Sequence, residues 1–231
     1  MTIWTVPKMW EGGDAWIIGG GYSMPEQFNV PKSIIKDVCS GRQLPDVYSQ
    51  YLEPIHNKHV IGVNNAYQIG TWMDVLFFGD SSWYLKHRKA LAVWPGIKVS
   101  CAPRFGNLPQ KKMEGIKCLI KDSKHNKGLT NSPRKVAWNS NSGAAAVNLA
   151  VHFGAKRIFL LGFDMIKVGK NTHWHGSHGK GQKRLPYQRH LKGFPIIVQD
   201  AKQLGVEIFN VNTQSKIDDF PKVTLEEALS C

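Results

Sequence analysis

Residues 139–164 constrain the fold more than any other part of the chain. The run GAAAVNLAVHF (143–153) is small and apolar, so as a helix it can pack closely on a sheet. Asn141 or Ser142 can cap its start, and Gly154 can end it. RIFLL (Arg157–Leu161) follows at once and is apolar at successive rather than alternate positions. Such a strand is buried on both faces, as in a parallel sheet with helices on either side. Gly162, Phe163 and Asp164 close it.

Other segments repeat the theme. AWII (15–18) breaks into Gly19-Gly20-Gly21-Tyr22-Ser23, VIGV (60–63) ends at Asn64-Asn65, and DVLFF (74–78) ends at Gly79-Asp80 before a helix over 81–90. KVSC (98–101) is a further strand, with shorter ones at 117–120 and 135–138. A helix over 195–204, with Gly205 as its C-cap, leads into a last strand at 206–211. Residues 31–58 read as an irregular, partly helical insertion. Strands alternating with helices predict one Rossmann-like α/β domain over residues 1–231, with a mostly parallel sheet flanked by helices.

Composition narrows the class. At 42% hydrophobic and 20% charged the chain is not of the disordered type. No apolar run is long enough to span a membrane, and no basic-then-apolar leader opens the sequence. Cys39, Cys101, Cys118 and Cys231 are irregularly spaced without a CxxC, which argues against a disulfide framework or a cysteine zinc site and points to the reducing cytoplasm. The net charge of +13 is not spread evenly: residues 101–192 carry 18 basic and 3 acidic side chains, against 9 and 8 in residues 1–100. That block points to a polyanionic substrate or partner.

In an open α/β sheet, ligands bind outside the carboxyl ends of the strands, and the polar clusters fall there. Gly19, Gly20 and Gly21 let backbone approach a phosphate or ribose, with Ser23 as a hydroxyl donor; a tight structural turn is the rival reading. Asn64 and Asn65 can hydrogen-bond a base or sugar, or simply cap the next helix. Asp80 can bind a ribose hydroxyl or Mg²⁺, or cap the helix after it. Asn141, Ser142 and Gly143 open a helix whose free N–H groups would receive a phosphate. Gly162 and Asp164 close the strand beside them. Residues 165–192 hold seven basic residues, four histidines and no acid, and are expected to form a mobile loop folding over an anionic ligand. His173 and His175 can act as acid or base, or share a metal ion. Trp138, Trp174 and Tyr187, with Arg184 and Arg189, could instead clamp a nucleic-acid strand, although aromatic residues more often finish a core.

Taken in order, WIIGGGYSM, VIGVNNA, NSGAAAVNLAVHFGAKRIFLLGFDM, THWHGSH and AKQLGVEIFNVN resemble the bacterial sialyltransferases that use CMP-sialic acid. They are also similar to the 6-hydroxymethylpterin diphosphokinase-like family, and similar segments in phage proteins suggest a phage-encoded relative working in host cytoplasm. The resemblance implies that Gly19, Gly21, Ser23, Asn64, Ser142 and Gly143 contact nucleotide, and that Gly162 and Asp164 line the base or ribose pocket. It implies a loop histidine, His178 or His175, as general base on the acceptor hydroxyl. Where those sialyltransferases place tyrosines after the G-x-D strand, this chain has Lys167 and Lys170, which would take over the departing phosphate. Asp80 stands closer to the diphosphokinase-like pattern and brings Mg²⁺ with it. The leading expectation is a nucleotide-dependent transferase, a glycosyltransferase using a nucleotide-sugar donor and an anionic acceptor. The alternatives are an ATP- and Mg²⁺-dependent diphosphokinase-like enzyme, and a nucleic-acid-binding or inhibitory protein on the same scaffold.

Overall fold

The computed structural model describes residues 2–102, 115–122, 127–169, 171–176 and 186–231. In chain order the strands and helices are β1 (Asp14–Ile18), α1 (Ser23–Gln27), α2 (Lys32–Cys39), a 3₁₀ helix (Pro45–Ile55), β2 (His59–Val63), a second 3₁₀ helix (Asn64–Gln68), β3 (Val75–Phe78), α3 (Ser81–Val93) and β4 (Ile97–Ser100). There follow β5 (Ile116–Cys118), β6 (Ile120–Asp122), β7 (Lys135–Ala137), α4 (Ser142–Phe153), β8 (Arg157–Leu161), α5 (Tyr187–Leu191), α6 (Phe194–Gln203), β9 (Glu207–Asn210) and α7 (Leu225–Ser230).

Seven strands form one sheet in the order β5-β4-β3-β2-β1-β8-β9, while β6 and β7 make a separate pair. Every pairing in both sheets is parallel. The chain steps outward from β1 to β5, then returns so that β8 lies on the other side of β1. Connections therefore leave the carboxyl ends of β1 and β8 in opposite directions, which opens a crevice at that switch point.

Alternation along the strands feeds two cores. Ala15 and Ile17 of β1, with Val75, Phe77, Ile158 and Leu160, pack against α4 and α6. Trp16 and Ile18, with Leu76, Phe78, Phe159 and Leu161, face the layer that carries Met24, Ile35, Tyr48, Leu52 and Ile55. Every residue of α4 except Ser142 and Val151 is buried, as its small side chains allow. Residues 31–58 supply the crossover from β1 to β2, and Ile35, Val38, Tyr48, Leu52 and Ile55 within them cover one face of the sheet. At the opposite end of β1 from the crevice, Arg157 grips Asp14 with two bonds of 2.7 Å, pinning the β1–β8 register.

One expected strand divides in two. Residues 117–120 do not run on as a unit: β5 pairs with β4, Leu119 N–H donates to Ser100 O, and Ile120 N–H turns to Arg134 O, so β6 starts the second sheet. Among the described residues no helix is long and apolar enough to cross a membrane.

Candidate functional site

A cavity of about 500 Å³ lies at the carboxyl edge of the sheet, at the switch between β1 and β8. Gly19, Gly20, Gly21, Asn64, Asn65, Asp80, Asn141, Ser142, Gly143, Gly162, Asp164, His173 and His175 all line it. The structure thus brings together residues that lie as much as 156 positions apart (19 to 175). Ser23 and the exposed Lys167 are not among the lining residues. His178, Lys170 and Arg184 lie outside the described residues. Ser140, Phe163, Met165, Ile166, Thr172 and His190 also line the cavity, and the strand-end pattern did not single them out. Trp138, Tyr187 and Arg189, expected only for a nucleic-acid clamp, line it as well.

The glycine-rich turn serves the protein before any ligand. Asp164, 2% exposed, accepts from Ser23 N–H at 2.9 Å, from the Ser23 hydroxyl, from Asn212 Nδ2 at 3.0 Å and from the backbone of Tyr22. Gly19 N–H and Gly21 N–H are spent on Leu161 O and Gly162 O. A Cβ on Gly21 would come 2.6 Å from Asp164 Cγ, and one on Gly20 would come 2.8 Å from the His173 ring. The turn is a nest of donors around a buried carboxylate, so the N–H groups of Gly19 and Gly21 and the Ser23 hydroxyl, expected to cradle a phosphate, are already engaged. Burial pushes the Asp164 carboxyl up from its ordinary value, against the pull of those hydrogen bonds. Asn212 is a further residue the pattern missed; its polar side chain two residues past the end of β9 was the available signal.

The start of α4 is self-capped in the same way. Asn141 Oδ1 accepts from Gly143 N–H at 2.9 Å and Ala144 N–H at 3.4 Å, which decides the capping residue and fixes the amide orientation. Its Nδ2 is then buried with no hydrogen-bond partner among the described residues, and so is Asn64 Oδ1. The backbone is held in the left-handed region at Asn64 (φ 51°), Ser140 (φ 53°) and Met165 (φ 51°), all on the cavity wall. Each such non-glycine residue stores roughly 1–3 kcal/mol of strain, and such residues cluster at functional sites. Asp80 occupies the N-cap position of α3 without a capping bond from its side chain, and it lines the cavity.

The histidine-bearing segment is anchored where it is described. Trp174 is fully buried; its indole Nε1 donates to Gly19 O at 2.8 Å, and Tyr48 hydroxyl donates to its carbonyl at 3.2 Å. Trp174 therefore belongs to the core and is not a stacking platform. It sets His173 and His175 into the cavity with ring centroids 5.2 Å apart. Arg189, just after the start of α5, is the one Lys or Arg among the described lining residues. Beside it, burial and then the Arg189 charge push the His190 imidazole down to about 4, so His190 is neutral at physiological pH. Asp80, His173 and His175 share the cavity, but no group of three His, Cys, Asp or Glu comes together as a metal-holding set among the described residues. Mg²⁺ is usually held by one or two carboxylates together with waters and substrate phosphates, and Asp80 is the carboxylate on the cavity wall outside the Asp164 hydrogen-bond network.

The same fold occurs in sialyltransferases. The monofunctional α-2,3-sialyltransferase Cst-I from Campylobacter jejuni aligns with a TM-score of 0.52 at 13% identity, over 92% of this chain and 80% of that one. CstII from the same organism, in complex with the substrate analogue CMP-3FNeuAc, gives 0.49 at 14% identity over 91% and 86%. No protein-family model and no curated protein sequence matches the chain. At 13% identity, the alignment with Cst-I establishes a shared architecture: a single α/β domain with a parallel seven-stranded sheet flanked by helices.

Proposed function

We propose that this chain is a glycosyltransferase that takes a nucleotide-sugar donor in the cavity at the β1–β8 switch. The observation that carries the reading is that two residues lining the cavity, Asn141 and Asn64, each bury an unpartnered polar side-chain atom, Nδ2 as donor and Oδ1 as acceptor. A buried amide group without a partner costs about 1–3 kcal/mol, and a ligand offering both an acceptor and a hydroxyl or amino donor offsets that cost. A nucleotide offers both, fits a cavity of about 500 Å³, and suits a switch-point crevice. The fold shared with Cst-I, a sialyltransferase, is the reason to name a sugar donor.

In the reaction, the acceptor hydroxyl oxygen attacks the anomeric carbon. The bond from that carbon to the donor phosphate breaks, and the phosphate leaves with the electron pair. A cavity imidazole, His173 or His175, receives the hydroxyl proton. With Lys167 outside the cavity lining, Arg189 is, among the described residues, the cation that meets the leaving phosphate, aided by the Ser142 hydroxyl and the positive end of α4. The basic block over residues 101–192 suits an anionic acceptor.

Thermal unfolding with CMP, UDP, GDP, ATP and their sugar conjugates tests this reading. A nucleotide at a hundred times its Kd should stabilise the fold by about 2.7 kcal/mol, or roughly 5–11 °C for a chain of this size. Arg189→Ala should weaken the phosphate-bearing ligand while sparing the free nucleoside. No shift with any nucleotide or conjugate rules the reading out.

A further inference from the structure

Three described imidazoles line the cavity, His173, His175 and His190; His190, pushed down to about 4, is the poorest base of them, and the surroundings of His175 separate its role from that of His173. Trp83 Nε1–H lies 2.6 Å from Asn65 Oδ1. An indole N–H can only donate, so the Asn65 oxygen must face it and the Asn65 amino group must point the other way. That Nδ2 lies 3.5 Å from His175 Nδ1. An amide N–H₂ can only donate, so His175 Nδ1 is the acceptor, and the ring of the neutral imidazole carries its proton on Nε2.

The relay is held from behind. Trp83 stacks on His87 at 4.5 Å between ring centroids and packs against Phe78 at 5.2 Å, while Tyr67 Oη lies 2.9 Å from His87 Nδ1. Asn65 is 3% exposed and His175 6%, so water competes little for these bonds. His173 has a different neighbour: the Thr172 hydroxyl lies 2.7 Å from its Nδ1. A hydroxyl can donate or accept, so it suits either protonation state of that ring.

We infer that Asn65, oriented by Trp83, is a positioning residue that holds His175 with its proton on Nε2. His175 thereby serves the transfer as a hydrogen-bond donor, and among the described histidines the base role falls to His173. This assignment of roles rests on the transferase reading, whereas the tautomer itself does not.

Imidazole ¹⁵N–¹H correlation spectra of the full chain, without nucleotide and at a pH where the rings are neutral, test the tautomer directly. In the unaltered protein His175 Nε2 should appear protonated and Nδ1 bare, by about tenfold or more, the equivalent of one buried hydrogen bond kept or lost. Asn65→Asp presents only acceptors and should move the proton to Nδ1. Trp83→Phe keeps the ring packing but removes the N–H, so Asn65 can turn over and the two tautomers should mix. If Asn65→Asp does not fold, Trp83→Phe alone decides. Protonation on Nδ1 in the unaltered protein, or an unchanged spectrum in Trp83→Phe, overturns the inference even if nucleotide binds. Absence of nucleotide binding with the expected spectra overturns only the transferase reading. Where turnover is measured, His173→Ala should abolish it, and Asn65→Asp should lower kcat with KM nearly unchanged; the reverse pattern counts against the assigned roles.

Discussion

Replacing Asp164 probes how the site is assembled. Asp164→Ala would strip the acceptor from Ser23 N–H, the Ser23 hydroxyl and Asn212 Nδ2, at a position only 2% exposed. A buried donor left without an acceptor costs about 1–3 kcal/mol. Two effects reduce the total. Ser23 is only half-buried, so water can accept its freed hydroxyl proton while Gln27 Nε2 still donates to its oxygen at 3.2 Å, and the desolvation that raises the Asp164 pKa disappears with the charge. A net loss of about 2–4 kcal/mol is expected, or roughly 5–15 °C in Tm. Asp164→Asn should lose about half as much, because one oxygen still serves Ser23 Oγ and Asn212 while the new amino group meets Ser23 N–H. Urea unfolding followed by tryptophan fluorescence gives both values, provided the m-value is unchanged. The pH dependence has a definite sign. The raised native pKa means that the folded chain binds more protons than the unfolded chain above the ordinary value of 3.8. This group's contribution to stability therefore falls as pH rises through that window, and Asp164→Asn should remove the fall. An alanine variant as stable as the unaltered chain, or an asparagine variant less stable than the alanine one, would refute the reasoning.

Three further outcomes are expected. Asn141→Ala removes an N-cap with two bonds and should cost about 0.5–2 kcal/mol in urea unfolding, together with a weaker nucleotide Kd by calorimetry. Trp174→Phe keeps the buried ring but orphans Gly19 O, and should cost about 1–3 kcal/mol, whereas Trp174→Ala should cost about 3–5 kcal/mol by cavity formation. His190 is pushed from 6.5 down to about 4, so the unfolded chain binds more protons between those values and stability drops as pH falls through them; His190→Gln should flatten that part of a urea-midpoint profile.

The sequence exposes what depends on local periodicity. Consecutive apolar residues in Arg157–Leu161 place β8 between two helical layers, and the strand-end clusters at Gly19, Asn64, Asp80, Asn141 and Gly162 meet at one cavity because parallel strands share a carboxyl edge. It hides what depends on distant partners. The Gly19-Gly20-Gly21 run reads as a phosphate cradle, yet its close approach is to Asp164 and His173, more than 140 residues away. The composition of residues 165–192 reads as a mobile basic loop folding over an anionic ligand, yet Trp174 is fully buried through bonds to Gly19 and Tyr48 that no local pattern announces. The 3₁₀ helix Pro45–Ile55 buries Tyr48, Leu52 and Ile55 at helical spacing, but Pro54 inside it reads as a helix breaker. The resemblance put Lys167 and Lys170 at the departing phosphate; among the described residues the cavity wall carries Arg189 and not Lys167.

The central claim is that a nucleotide occupies the cavity at the β1–β8 switch. Backbone amide NMR during nucleotide titration tests it most directly. The account expects saturable shifts concentrated at Gly20, Asn64, Ser140, Gly143 and Asp164, all on that wall. Shifts centred on another face of the molecule, or none at millimolar nucleotide, would contradict it.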